Sequence, residues 1–185
     1  MYLGKSPEDN LGGVLFVTSG LGGMSGAQAK AAVITGAVGI IADTSRHAVE
    51  KRYNQGWLTE MSDDVAFVVD RAKRAVADRE AVSIGFVGNI VDLLESLENA
   101  NVVPDLCSDQ TSLHNPWLGG YTPRGLSYDE AEEMISSDPD QFRSLVRGTL
   151  VEHGAVIKRL SQRGMRFWDY GNCLLYTSPS PRDCQ

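Results

Sequence analysis

Cysteine is scarce in this chain, and what is absent from its pattern matters more than what is present. The three cysteines, Cys107, Cys173 and Cys184, are odd in number and show no CxxC spacing, so neither a disulfide framework nor a zinc cage is suggested. The three histidines, His47, His114 and His153, are equally scattered, and no metal motif is legible. Positive charge is also in short supply. Seventeen Lys and Arg against 24 Asp and Glu leave a net charge of −7 and no basic cluster, which argues against a sequence-independent grip on nucleic acid. No apolar stretch approaches the roughly eighteen residues of a membrane span, and the first ten residues lack an apolar signal core. A cytoplasmic protein acting on small molecules, with no nucleic-acid or membrane partner, is the expectation. The 185 residues, 42% apolar and 22% charged, are ordinary for a globular domain.

What is present is organised around glycine. Val14-Leu15-Phe16-Val17-Thr18-Ser19 is an apolar run of strand length, Gly20-Leu21-Gly22-Gly23-Met24-Ser25-Gly26 follows, and Ala27-Gln28-Ala29-Lys30-Ala31-Ala32 is rich in helix formers. Glycines admit positive φ and let a ligand approach without a Cβ in the way, and the helix N-terminus offers unpaired N–H groups and partial positive charge. The run fits G-x-G-x-x-x-G through Gly20, Gly22 and Gly26 and fails the stricter G-x-G-x-x-G, because Ser25 occupies its last position. Taken alone it is equally compatible with a turn that binds nothing. Asp43 shifts the balance: it ends a buried run, Val38-Gly39-Ile40-Ile41-Ala42, twenty residues after Gly23, where a dinucleotide fold places an acid to accept the ribose hydroxyls. An acid there favours NAD over NADP, whose 2′-phosphate it would repel.

Further βα units are expected downstream. A helix is predicted over about 46–55, another over 62–78 with Ser62 as N-cap, and a strand over 82–87 whose Gly88-Asn89 turn leads into an amphipathic helix. Pro104 to Ser108 reads as a short strand ending at Asp109-Gln110-Thr111-Ser112-Leu113-His114, a polar constellation equally readable as a loop tied to its own backbone. After a glycine- and proline-rich loop to Gly125, Ser127 and Glu130 form a capping-box pattern, a long helix is predicted over 139–163, and Met165 to Tyr170 would return to the sheet. Phe167 and Trp168 read as core and Tyr170 as a ligand contact, while His47 and His153 read as solvated helix residues. The fold class expected is α/β, a Rossmann-like three-layer α/β/α with a mostly parallel sheet over residues 1–172, the first thirteen being a lead-in. The abrupt start suggests a piece of something longer. Residues 173–185, with two prolines and no apolar period, read as a disordered tail that resembles translated adaptor sequence and is not native.

Three of these segments together carry a resemblance. Thr18 to Gln28 with its glycine run, Ser108-Asp109-Gln110-Thr111-Ser112-Leu113-His114-Asn115-Pro116, and Phe167-Trp168-Asp169-Tyr170-Gly171-Asn172 resemble, in order, the signatures of the urocanase (urocanate hydratase) family. The resemblance implies a cofactor-binding domain from a larger, homodimeric enzyme of histidine breakdown, which adds water to urocanate to give imidazolonepropionate. It further implies tightly held NAD⁺ used as an electrophile toward the imidazole ring, without net redox. Carried over by motif, Gly23, Met24 and Ser25 would meet the pyrophosphate, Asp43 the ribose, Asn89 with Ile90 another part of the cofactor, and Gln110, Thr111, Ser112, Leu113, His114, Tyr121, Thr122 and Tyr170 the remaining contacts. Arg46 joins them on an alignment that a local shift would change. Asp43 stands where the family usually has Glu, and Ser25 where many members have glycine. None of the three cysteines lies in the context of the family's catalytic cysteine, so no catalytic residue is assigned and the fragment is expected to be inactive alone. Two other readings stay open on the residues themselves: a pyridine-nucleotide dehydrogenase domain built on the same βαβ unit, and a non-enzymatic nucleotide-binding module.

Overall fold

The computed structural model describes residues 3–4, 6, 9–23, 25–109 and 115–169. Six strands form one sheet: β1 (Leu15–Ser19), β2 (Val38–Asp43), β3 (Glu60–Ser62), β4 (Val82–Val87), β5 (Leu106–Asp109) and β6 (Arg166–Asp169). Their spatial order is β3-β4-β2-β1-β5-β6, and every pairing is parallel. The helices between them are α1 (Ala27–Ile34), α2 (Arg46–Asn54), α3 (Val65–Asp78), α4 (Ile90–Asn99), α5 (Tyr128–Ser137) and α6 (Pro139–Gln162), with a 3-10 turn at Pro116–Leu118. From β1 the chain builds outward to β2 on one side and later to β5 on the other. The reversal of strand order, where open α/β sheets hold ligands, therefore falls between β1 and β5.

Burial follows the layers. β2 and β4 are buried on both faces and read as near-continuous apolar runs, as central parallel strands must. Successive residues alternate sides: Ile40 and Ala42 join Val68, Val91, Leu94 and Leu160 in the larger core beneath α3, α4 and α6, whereas Ile41 joins Leu21, Ala29, Val49 and Leu58 beneath α1 and α2. The α1 helix contributes only small buried residues, Ala29 and Ala32, and it lies close to the sheet because Ala32 sits over Gly39, where an added Cβ would come within 2.8 Å of its methyl. The three-layer α/β/α expectation holds, with a sheet parallel throughout.

Two local readings are corrected. Ser62 does not cap a helix: Glu60–Ser62 pairs with β4 as the sheet's edge strand, and Asp64 is the N-cap of α3, its carboxylate accepting from the amides of Ala66 and Phe67. His153 is not solvated, being 1% exposed on the inner face of α6. The capping box of Ser127 and Glu130 is present as read. No helix among the described residues is long and apolar enough to cross a membrane.

Candidate functional site

The register of the sheet sets the level of the site. β1 pairs with β2 from Leu15 opposite Val38 to Ser19 opposite Ala42, and Asp43 lies opposite Val87, so three strand ends finish side by side. Gly20, Asp43 and Gly88 then leave the sheet at one edge. Gly20 takes φ +91°, a turn conformation that an L side chain resists, and its amide donates to the Ala42 carbonyl at 2.8 Å. Above these ends lies a cleft of about 430 Å³, floored by the glycine turn and roofed by Gly119 to Thr122 and Tyr128.

Gly23, Ser25, Asp43, Asn89, Ile90, Tyr121 and Thr122 all line this cleft, brought together from four segments of chain. Met24, Gln110 to His114 and Tyr170 lie outside the described residues. Arg46 is not brought in. It opens α2 with its half-exposed guanidinium paired to Asp63 and 3.9 Å from Glu50, on the side of the β3–α3 corner. Sequence reasoning missed Thr44, Gly119, Gly120 and Tyr128, which also line the cleft. The two glycines were visible as helix breakers, but nothing local says that the loop folds back over the strand ends.

Each wall is held by its own set of polar ties. At the glycine turn, the Asp43 carboxylate accepts from the amide of Leu21 at 2.7 Å and from that of Ser45 at 2.9 Å. Burial pushes its pKa upward, and those two amides oppose the shift by stabilising the anion. Next to it, α1 starts at Gly26 with no side-chain cap, whereas Ser45, Asp64, Asn89, Ser127 and Asp138 cap the five other helices. A capping side chain would satisfy first-turn amides; α1 lacks one where it meets the cleft.

The roof is tied to the sheet through neutral and buried groups. Asn89 caps α4 through Val91 and donates to the Thr122 carbonyl at 3.0 Å, while Thr44 and Thr122 share a hydroxyl contact at 2.9 Å. Tyr121 turns its ring inward, and its hydroxyl meets His153 Nδ1 at 3.2 Å. On the far side of the imidazole, Nε2 lies 4.0 Å from Asp109 Oδ2, which accepts from the Ser19 hydroxyl at 2.6 Å. Burial lowers the His153 pKa and outweighs the opposing attraction of Asp109, since 4.0 Å is too long for a hydrogen bond. The imidazole is neutral. A hydroxyl both donates and accepts, so Tyr121 satisfies Nδ1 in either neutral tautomer. Tyr121 itself is pushed well upward by burial and by the charges of Asp109 and Glu152, so its hydroxyl keeps its proton.

A strand, an open glycine turn, an uncapped helix start and an acid at the end of the second strand, all at the reversal of a parallel sheet, define a Rossmann-like domain of the nucleotide-binding class. The sequence model of the urocanase Rossmann-like domain matches residues 2–180, and the chain belongs to the urocanase family. It is 49% identical over 168 residues to a probable urocanate hydratase of Caenorhabditis elegans, covering 90% of this chain and 25% of that protein. Against the urocanate hydratases of Mus musculus and Homo sapiens it is 49% and 46% identical over 179 residues, covering 94% of this chain and 26% of each. The chain thus spans about a quarter of the length of these curated relatives.

Proposed function

We propose that this chain is the NAD-binding domain of a urocanate hydratase, the parent enzyme adding water to urocanate to form imidazolonepropionate in histidine breakdown. The observation that carries the reading is the uncapped start of α1 behind a glycine turn that is tied to Asp43, all bordering one cleft. The residues suit a dinucleotide. A Cβ at Gly23 would meet nothing within 4 Å and one at Gly22 only the Ser25 hydroxyl, so a diphosphate has open backbone to approach. Gly23 and Ser25, with Met24 between them, would hold that diphosphate, and Asp43 the adenosine ribose. Asn89, Ile90, Tyr121 and Thr122 would border the rest, with Gln110, Thr111, Ser112, Leu113, His114 and Tyr170 completing the set. Arg46 is not retained.

When bound, NAD⁺ supplies an electrophilic nicotinamide and undergoes no net redox. The part of this chain is orientation: rigid strand ends and a tied roof keep cofactor and urocanate in register, an effect that needs no proton transfer from the domain itself. No catalytic residue is assigned to it, and it is inactive without the rest of the parent, a cytoplasmic homodimer in this reading.

Isothermal titration with NAD⁺ and NADP⁺ tests the cofactor. NAD⁺ binds more tightly, and equal or stronger binding of NADP⁺ would overturn the role of Asp43. The full-length parent consumes urocanate, followed as loss of its ultraviolet absorbance, with no net change in the reduced-nicotinamide band. A parent without that activity, or one that accumulates reduced cofactor, ends the assignment.

A further inference from the structure

Arg52 is 7% exposed, stands in the last turn of α2 and does not border the cleft, yet it reaches the glycine turn from behind. Its Nε donates to the Leu21 carbonyl at 3.0 Å and its Nη2 to the Gly22 carbonyl. The remaining fork nitrogen donates to Gln55 Oε1 at 2.7 Å, and the guanidinium lies over the Trp57 ring, 4.7 Å from its centroid. All these partners are neutral, and among the described residues no carboxylate forms an ion pair with Arg52. A buried full charge without a counter-ion is costly unless hydrogen bonds and a nearby opposite charge offset it. Here the hydrogen bonds are present, the nearest carboxylate named at the turn is that of Asp43 on the Leu21 amide, outside ion-pair distance, and a bound anion would add a second negative charge.

Geometry adds a second effect. In a trans peptide the carbonyl and the following N–H point in opposite directions. Drawing the Leu21 and Gly22 carbonyls toward α2 therefore aims the amides of Gly22 and Gly23 away from it, toward the side on which both glycines border the cleft. Leu21 is held at both ends, its amide by Asp43 and its carbonyl by Arg52. Gly26 belongs to the same arrangement. Its φ of −57° suits any residue, but an added Cβ would lie 2.5 Å from Arg52 Nε and 3.1 Å from Cζ. The last glycine of the run makes room for the arginine, not for the ligand.

We propose that Arg52 is a positioning residue for a nucleoside diphosphate: it aims the Gly22 and Gly23 amides at the anion and places behind them a positive charge that has no ion-pair partner among the described residues. The inference rests on the dinucleotide reading above. Its test uses the full 185-residue chain, with ADP-ribose, and adenosine as a probe lacking the diphosphate, both measured by calorimetry. Arg52→Met weakens ADP-ribose binding about 10- to 100-fold, the range for losing a charged hydrogen-bonding group, and leaves adenosine unchanged. Arg52→Lys, which keeps the charge but not the fork, falls between Met and wild type. Gly26→Ala, which keeps Arg52 but displaces its guanidinium, weakens ADP-ribose in the same direction and decides the matter if the methionine variant does not fold. Equal loss for ADP-ribose and adenosine, or binding within twofold of wild type in both Arg52→Met and Gly26→Ala, overturns the proposal while leaving the dinucleotide reading intact. Wild-type chain that binds neither ADP-ribose nor NAD⁺ overturns the reading itself.

Discussion

The two walls of the cleft are built on opposite electrostatic plans. The glycine-turn wall is held by full charges, Asp43 on the amides of Leu21 and Ser45 and Arg52 on the carbonyls of Leu21 and Gly22. Where it borders the cleft, the roof at 119–122 is held by neutral groups, the Asn89 amide, the Thr44 and Thr122 hydroxyls and a Tyr121 hydroxyl seated on His153, and its charged ties, those of Arg124 to Asp92, Glu95 and Glu152, lie two residues further on, outside the cleft lining. Charged ties position a backbone firmly and set the potential that an anion meets, whereas neutral ties leave that potential almost untouched and depend on the imidazole keeping its protonation state. The wall that would face a diphosphate is the charged one.

Four substitutions or conditions would break or sharpen that contrast. The largest effect is expected from His153→Phe, which removes the hydrogen-bond partner of a buried tyrosine hydroxyl and exposes buried Asp109 to an apolar ring. It should cost about 2–4 kcal/mol of stability, read as a lowered urea midpoint, because an orphaned buried hydroxyl and a buried charge are both penalised. Asp43→Asn should loosen the opposite wall. Loss of a charged acceptor is worth about 1.5–3 kcal/mol, so NAD⁺ binding should weaken about 10- to 100-fold, with NADP⁺ weakened less, both by titration.

Acid should separate the walls next. Burial holds the folded-state pKa of His153 below its unfolded value of about 6.5, so the neutral form is the one the fold favours. That contribution is complete above the unfolded pKa and is lost as pH falls from it toward the folded value, by about 1.4 kcal/mol per unit of separation. Urea midpoints at pH 7.5 and 5.5 should therefore fall for the wild type and converge with those of His153→Phe in acid. Arg46→Ala should do least: its ion pairs to Asp63 and Glu50 are exposed, so a change within about 0.5 kcal/mol and unaltered NAD⁺ affinity are expected. A clear affinity loss there would return Arg46 to the site.

Much of the charged wall was legible because its signals are local. Strand, glycine turn, helix and terminal acid occur within thirty residues, and each is a backbone preference or a spacing that neighbours in sequence dictate. Of the neutral roof, Asn89, Tyr121 and Thr122 were legible only through resemblance and His153 was misread as solvated, since positions 89, 121–122 and 153 are joined by no periodicity. His153 falls on the buried stripe of α6, four residues after Thr149 and three before Val156, so the helical period carried a signal that its polarity masked. The edge strand Glu60–Ser62 carries no strand signature of its own and exists because β4 offers it a ladder. Arg46 and Arg52 lie on one short helix, and only the packing of α2 against the turn tells which of them reaches it.

By itself, then, the sequence determined a mostly parallel α/β domain with a glycine turn and an acid at the second strand end, because propensity, hydrophobic period and turn chemistry act over a few residues. Tertiary structure alone decided that the 119–122 loop roofs the turn, that a buried histidine holds that roof, and that Arg52 reaches the glycine turn while Arg46 pairs with Asp63. Those choices turn on burial and distance between segments 30 to 90 residues apart, and desolvation and hydrogen-bond geometry have no value until the chain has folded.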